Sequence, residues 1–402
     1  MTEGKAIKRW PSIAIAWLFG LAPVALLLLT WTDGFTPLQQ SARALGLPIL
    51  AAELAITMVS LREGYRLPSL RPLPFALLAA LGVIAWGTAV NAPYPAVALL
   101  RTGTWTIHLF FALALVSLAH RRMLDLGQLW VALQTGFLLV FALLVIFVAT
   151  TDQTAEERIW SLPAFGNIRW FAEYAAGIVG LAAAGFLRGN RFALSVATMA
   201  FTLLFWTGGR GGIAAALAGL AACAFLFESF RSPRVWGRFL LCVLLGGALS
   251  IALTALIPIE GQTIARDGAS GRMELWMATI DSIRLRPWFG WGDGQTVRFS
   301  VPLLGVAYPQ PHNIVLQVLH AWGVVGGLLC LALAIWSAPR FLRARGVDAA
   351  PFQLSALTIA FHSFIDGSLY HVHSVALFAL CVAAAIAAGM EEDTQGLPPS
   401  SP

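Results

Sequence analysis

The chain alternates between long apolar runs and short polar joints, and the runs have the length of bilayer-crossing helices. At 1.5 Å rise per residue, a helix needs about 17–25 mostly apolar residues to cross the hydrocarbon layer. Such runs recur at 13–30, 42–60, 75–90, 97–118, 129–150 and 171–187 in the first half. The second half adds 192–206, 212–227, 239–258, 314–336, 352–369 and 374–388. The pattern predicts an all-α polytopic membrane protein with about 12 transmembrane helices. The run at 42–60 fits least well, because Arg43 and Glu53 fall inside it. The opening apolar run lacks a small-x-small cleavage pattern and is expected to stay as the first span.

One long joint interrupts this rhythm, residues 259–313. It is too short to bury a core of its own, so it is expected to pack as a loop or lid on the helix ends. Within it Met273, Trp276, Ile280 and Ile283 recur at steps of three, four and three. That spacing predicts an amphipathic helix over about 272–285, stopped by Pro287. The organisation is then helices over 1–258, a loop over 259–313, helices over 314–390, and a polar, proline-rich tail over 391–402 that is expected to be disordered. No internal repeat or inverted half is visible, which counts against a transporter, since many transporters carry them.

Composition closes off the soluble classes. Of 402 residues, 58% are hydrophobic and 11% charged, against about 45–50% and about 25% in soluble domains. Charge placement says more than the net +6. With the N-terminus in the cytoplasm, 16 of the 26 lysines and arginines fall in inner joints, as the positive-inside rule asks. Both termini are then cytoplasmic, and the 259–313 loop faces outward. That loop holds Arg266, Arg272, Arg284, Arg286 and Arg298, a cationic roof suited to an anionic, lipid-linked substrate. The four cysteines all sit inside apolar runs and read as small hydrophobes, with neither disulfides nor a metal cluster expected.

Several groups of residues carry candidate chemistry. Thr207-Gly208-Gly209-Arg210-Gly211-Gly212 joins two outer helix ends; glycines let an anion approach the amides, though a short hairpin with a snorkelling arginine has the same composition. Arg272 opens the helix of the loop, where backbone amides already favour an anion. Arg266, Arg284, Arg286 and Arg298 are equally suited to lipid head groups. His312, after Pro309-Gln310-Pro311, stands at a helix mouth where a neutral imidazole can take a proton from a hydroxyl. Asn313 is placed to cap that helix. Arg101, Trp105 and His108 share one helical face, and ionisable groups at membrane depth face a bundle interior or a wet cavity. His362, Asp366, His371 and His373 gather at the last outer turn, as a metal set, with His362 and Asp366 at i, i+4 as a buried hydrogen-bonded pair, or with Asp366 orienting a histidine or binding sugar hydroxyls. Arg158, Trp160, Asn167, Arg169 and Trp170 offer aromatics and amides to sugar rings, although tryptophan is common at interfaces anyway.

The order of these features resembles a known family. Gly208-Gly209-Arg210-Gly211-Gly212 is followed by Gly271-Arg272-Met273-Glu274-Leu275-Trp276 and by Arg286-Pro287-Trp288-Phe289-Gly290-Trp291-Gly292. Pro311-His312-Asn313, Gln317 and Gly323-Val324-Val325-Gly326 complete the series, with Asn167 before it and His362 and Asp366 after it. Over about 166 to the end, this is similar to the O-antigen ligase family and the broader group that includes polysaccharide polymerases. The resemblance implies a GT-C-type glycosyltransferase of the bacterial inner membrane with its site on the periplasmic side. It implies a donor glycan on undecaprenyl pyrophosphate, a lipid A–core acceptor, inversion at the sugar, and no metal or other cofactor. It also implies that Arg210 and Arg272 hold the pyrophosphate and that His312 is the base, with Arg266, Arg286, Asn313, Asn167, Arg169, His362 and Asp366 as substrate-binding candidates. Two departures leave ligase and polymerase both open: Gly209 stands where a serine often precedes the first arginine, and Ala321-Trp322 where an acidic residue often precedes the glycine. A transporter of lipid-linked glycans is the remaining alternative.

Overall fold

The computed structural model describes residues 9–31, 45–65, 72–152, 154, 162–165, 167–258, 272–298, 300, 308–344, 346 and 348–394. Arg266, Arg158, Arg43 and the tail beyond 394 lie outside the described residues. The first half runs α1 (Arg9–Gly20), α2 (Ala22–Leu29), α3 (Leu47–Arg62), α4 (Pro72–Val90), α5 (Pro95–His120), α6 (Leu126–Thr150), α7 (Ile168–Leu181) and α8 (Ala183–Arg188). The second half runs α9 (Arg191–Trp206), α10 (Arg210–Leu226), α11 (Pro233–Leu256), α12 (Arg272–Leu285), α13 (Ile314–Arg343), α14 (Ala350–Ser363) and α15 (Val372–Thr394).

A helix stands on each expected apolar run, but the runs are not alike. Seven helical segments are long and apolar enough to cross a membrane, or eight if the pair α1 and α2, bent by 43°, is one span. The helices at the other expected spans are shorter: α3 and α9 have 16 residues, α10 has 17 and α14 has 14. The protein is therefore an all-helical, multi-pass membrane protein.

The packing centre is α7, which is buried along nearly its whole length and packs against α9, α10 and α14. Glycine makes this closeness possible: a Cβ on Gly180 would lie 2.2 Å from the Ser355 Cα of α14. Ser355 also donates to the Gly177 carbonyl at 2.8 Å, fixing the level at which α14 lies on α7. Side-chain caps set the register of helix starts, as where Asp125 accepts from Gln128 N and Asn190 from Ala193 N.

The helix α13 is broken at Gly323 (φ 65°, ψ −169°), a conformation that is essentially reserved for glycine. Breaking a helix within a membrane protein frees backbone groups that must find partners. The Arg286–Gly292 segment, here termed the hook, supplies them. Val324 and Val325 donate to the Pro287 and Trp288 carbonyls at 2.8 and 3.2 Å, while the His320 and Ala321 carbonyls accept from Trp291 and Gly292 at 2.8 and 2.9 Å. Gly290 and Gly323 allow the contact, since a Cβ on either would meet the opposing backbone at 2.6 or 2.3 Å. Two motifs far apart in the chain are thus halves of one hydrogen-bonded joint.

The helix expected in the long loop forms over the expected residues, and of its expected stripe Trp276, Ile280 and Ile283 are half-buried while Met273 is exposed. Leu275 and Thr279 are its buried residues, Trp276 and Ser282 are half-buried, and Met273 and Met277 are exposed. The side packed on α13 is partly polar because it makes specific bonds: Ser282 Oγ lies 3.2 Å from His320 Nε2, and Trp276 Nε1 donates to the Pro311 carbonyl at 2.9 Å.

Candidate active site

Two loops and two helix ends meet at Asp366, in the turn between α14 and α15. Its Oδ1 lies 2.7 Å from His312 Nδ1, and its Oδ2 accepts from Arg272 Nη2 at 2.8 Å. Gly367 N donates to Oδ1 at 2.9 Å. The three side chains are 12%, 18% and 31% exposed for Asp366, His312 and Arg272, so the carboxylate is the most sheltered and Arg272 keeps the most open face. Burial works against ionising Asp366, but the His312 hydrogen bond and the charges of His312, His362 and Arg272 outweigh it. They hold the carboxyl well below the usual carboxylate range.

His312 occupies a left-handed backbone conformation (φ 55°) that is unfavourable for a side chain with a Cβ. Gln310 holds it there. The buried Gln310 amide accepts from His312 N at 2.6 Å and lies 3.0 Å from its Nδ1. Gly367 has no side chain because that amide fills its place: a Cβ would lie 2.1 Å from Gln310 Nε2. Asn313 caps α13, accepting from Val315 N and Leu316 N, and donates to the Phe364 carbonyl at 2.9 Å, tying α13 to the Asp366 turn.

Arg210 is the exposed first residue of α10, after a tight turn in which Gly208 has φ 65°. Its neighbour Gly211 lies against His362, whose Nε2 would be 3.0 Å from a Cβ there. His362 precedes Asp366 by one turn, and Asp366 N donates to the His362 carbonyl at 2.9 Å. The two side chains do not bond to each other; His362 Nδ1 bonds Ser368 Oγ instead. His371 pairs with Glu173 Oε2 of α7 at 2.7 Å, and His373 lies 3.2 Å from the Trp170 carbonyl. The four residues considered as a metal set thus turn to four different partners.

Of the other sequence candidates, Asn167 caps α7 by accepting from Arg169 N at 2.8 Å, with Arg169 half-buried beside it. Arg286 belongs to the hook, stacked 4.0 Å over the Trp291 ring. Arg101 and Trp105 share one partner that sequence reading missed, the buried Asp293, at 3.1 and 3.0 Å, and Arg101 also lies 3.6 Å over the Tyr370 ring. His108 pairs with the buried Glu53 at 2.9 Å. Glu173 was also missed, although an acidic residue inside an apolar run is itself a signal. It lies within electrostatic reach of Asp366, His362, His312 and Arg272.

Residues 192–331, which carry Arg210, Arg272 and His312, match the O-antigen ligase family model. Over this stretch the chain is similar to the O-antigen ligase family. Among curated relatives, an O-antigen ligase of Pseudomonas aeruginosa PAO1 is 34% identical over 131 residues, 33% of this chain and 30% of that protein. A general O-oligosaccharyltransferase of Acinetobacter baylyi is 22% identical over 168 residues, 37% of this chain and 29% of that protein. The matched stretches thus span under a third of either relative's length.

Proposed function

We propose that the protein transfers a glycan from undecaprenyl pyrophosphate to a sugar hydroxyl of lipid A–core at the periplasmic face of the inner membrane, inverting the anomeric carbon. The observation that carries the reading is one ionised carboxylate, Asp366, engaging both His312 and Arg272. By taking the Nδ1–H of His312, Asp366 leaves Nε2 as the free lone pair and balances the imidazolium that forms. The acceptor oxygen then attacks the anomeric carbon and passes its proton to Nε2. The bond from that carbon to the pyrophosphate oxygen breaks, and the pyrophosphate leaves with the electron pair. Arg272, and Arg210 from the neighbouring helix start, stabilise the charge that gathers on it. Pyrophosphate leaves readily, so the scheme calls on neither a metal nor a nucleotide. In this reading the twelve apolar segments form a GT-C-type bundle with both termini cytoplasmic, and α12 and the hook lie on its periplasmic side.

The test is transfer by purified protein in lipid, with lipid-linked glycan and lipid A–core, followed as a mobility shift of the acceptor. Alanine at His312, Arg210 or Arg272 should abolish the shift in folded protein, and full transfer by His312→Ala would remove the base from the scheme. Gly209 and Ala321-Trp322, which depart from the ligase pattern, leave open a second reading in which lipid-linked repeat units are joined to one another. A deletion strain separates the two. Lost ligation strands long chains on the carrier, and lost polymerisation leaves single units on the final acceptor.

A further inference from the structure

A groove of about 610 Å³ lies between the last two turns of α4 and the hook, within the size range of small-molecule sites (about 300–1,000 Å³). Val83, Ile84 and Gly87 form one wall; Leu285, Pro287 and Trp288 form the other, with Arg286 among them. We propose that this groove takes a hydrocarbon chain of a lipid-anchored, phosphate-bearing glycan acceptor, with Arg286 binding the phosphate at its rim. The inference rests on the acceptor reading above and adds where the acceptor's lipid end is held.

Three observations point to that occupant. First, α4 is the least buried of the seven membrane-length segments, with 17% of its apolar window covered by protein. A groove at the end of such a helix opens where hydrocarbon gives way to head groups. Second, the Arg286 guanidinium lies 4.0 Å over the Trp291 ring, and its side chain makes no hydrogen bond among the described residues. A guanidinium with its N–H groups unspent has the forked donors that suit a phosphate. Third, the groove is remote from the reacting groups. Arg272 begins α12 and Leu285 ends it, 14 residues and so about 20 Å apart. A polyprenyl pyrophosphate reacts at the carbon bonded to its pyrophosphate, so its hydrocarbon starts beside Arg272. An acceptor whose hydroxyl is carried on sugars, away from its acyl chains, needs such a separation. The four backbone bonds of the hook to α13 preform the second wall.

Gly87 supplies a clean probe, because a Cβ there meets nothing within 4 Å. Phenylalanine can therefore fill the slot without displacing protein, and it also replaces a poor helix former. Protein in nanodiscs would be mixed with a phosphorylated, core-bearing lipid A that carries a diazirine on one acyl chain, then irradiated, and the labelled peptides mapped. Label should fall on 83–91 or 285–290 and be chased by unlabelled lipid A–core, but not by undecaprenyl pyrophosphate. Gly87→Phe should cut it at least tenfold, and Arg286→Gln by about tenfold, the worth of a charged hydrogen bond. Label that is absent from the groove, undiminished in Gly87→Phe, or chased by the polyprenyl pyrophosphate overturns the proposal. Because labelling does not depend on turnover, failed transfer with groove labelling would sink the catalytic reading and leave the binding site standing.

Discussion

Replacing Asp366 with asparagine removes one negative charge and almost no volume, so its effect isolates what the carboxylate does. In the native protein it accepts charged hydrogen bonds from Arg272 and His312, at 2.8 and 2.7 Å. Each such bond is worth about 1.5–3 kcal/mol. Asparagine can still accept one of them, but its amide nitrogen then faces the other donor, so the loss amounts to about 3–4 kcal/mol. If Asp366 holds His312 in its reactive tautomer, that loss falls on the transition state, and kcat should drop roughly 10²- to 10³-fold. Arg272, released from its counter-charge, binds the donor no less well, so the donor KM should stay level or fall. The assay is initial-rate transfer in detergent or nanodiscs at several donor concentrations. A raised KM with unchanged kcat would show that Asp366 binds substrate rather than orienting the base. The pH behaviour follows from the same geometry. With its folded value depressed, the stability contributed by Asp366 is complete above its ordinary value of 3.8 and is lost as pH falls through the folded value. Titration of Asp366 should therefore leave no acid limb in activity between about pH 5 and 9.

Three further expectations follow from neighbouring elements. Gln310→Leu should free the left-handed turn at His312 and lower kcat about 10- to 100-fold, the cost of one or two hydrogen bonds, with donor KM unchanged in steady-state assays. Gly323→Ala places a Cβ 2.3 Å from the Trp288 backbone in a glycine-only conformation, so stability should fall by about 3 kcal/mol or more, read as a lowered melting temperature. Burial first, and the charge of His312 next, push the His371 imidazole down to about 3. An unfolded histidine takes its proton near 6.5, so the unfolded state binds more protons below that pH. Stability should then decline as pH falls from about 6.5 towards 3, and His371→Asn should flatten the decline in a melting series from about pH 7 to about pH 5.

The sequence by itself determined that the chain is a helical membrane protein, because apolar run length needs no tertiary information. It also located α12 and the stop at Pro287, and it picked out Arg210, Arg272, His312 and Asp366 as charged or titratable residues in a greasy chain. Tertiary structure alone decided who meets whom. That Asp366 serves both His312 and Arg272, across 54 and 94 residues, is a property of the packing of α12, α13 and α14. So is the pairing of Arg101 and Trp105 with Asp293, about 190 residues away. The fullest burial on α12 fell to Leu275 and Thr279, outside its apolar spacing, while hydrogen bonds at Trp276 and Ser282 tie the helix to its neighbours. The glycines at 290 and 323 were legible as a motif, but their purpose was not. A broken helix and the segment that repairs it trade bonds across the chain, and such an exchange leaves no periodic trace in either stretch.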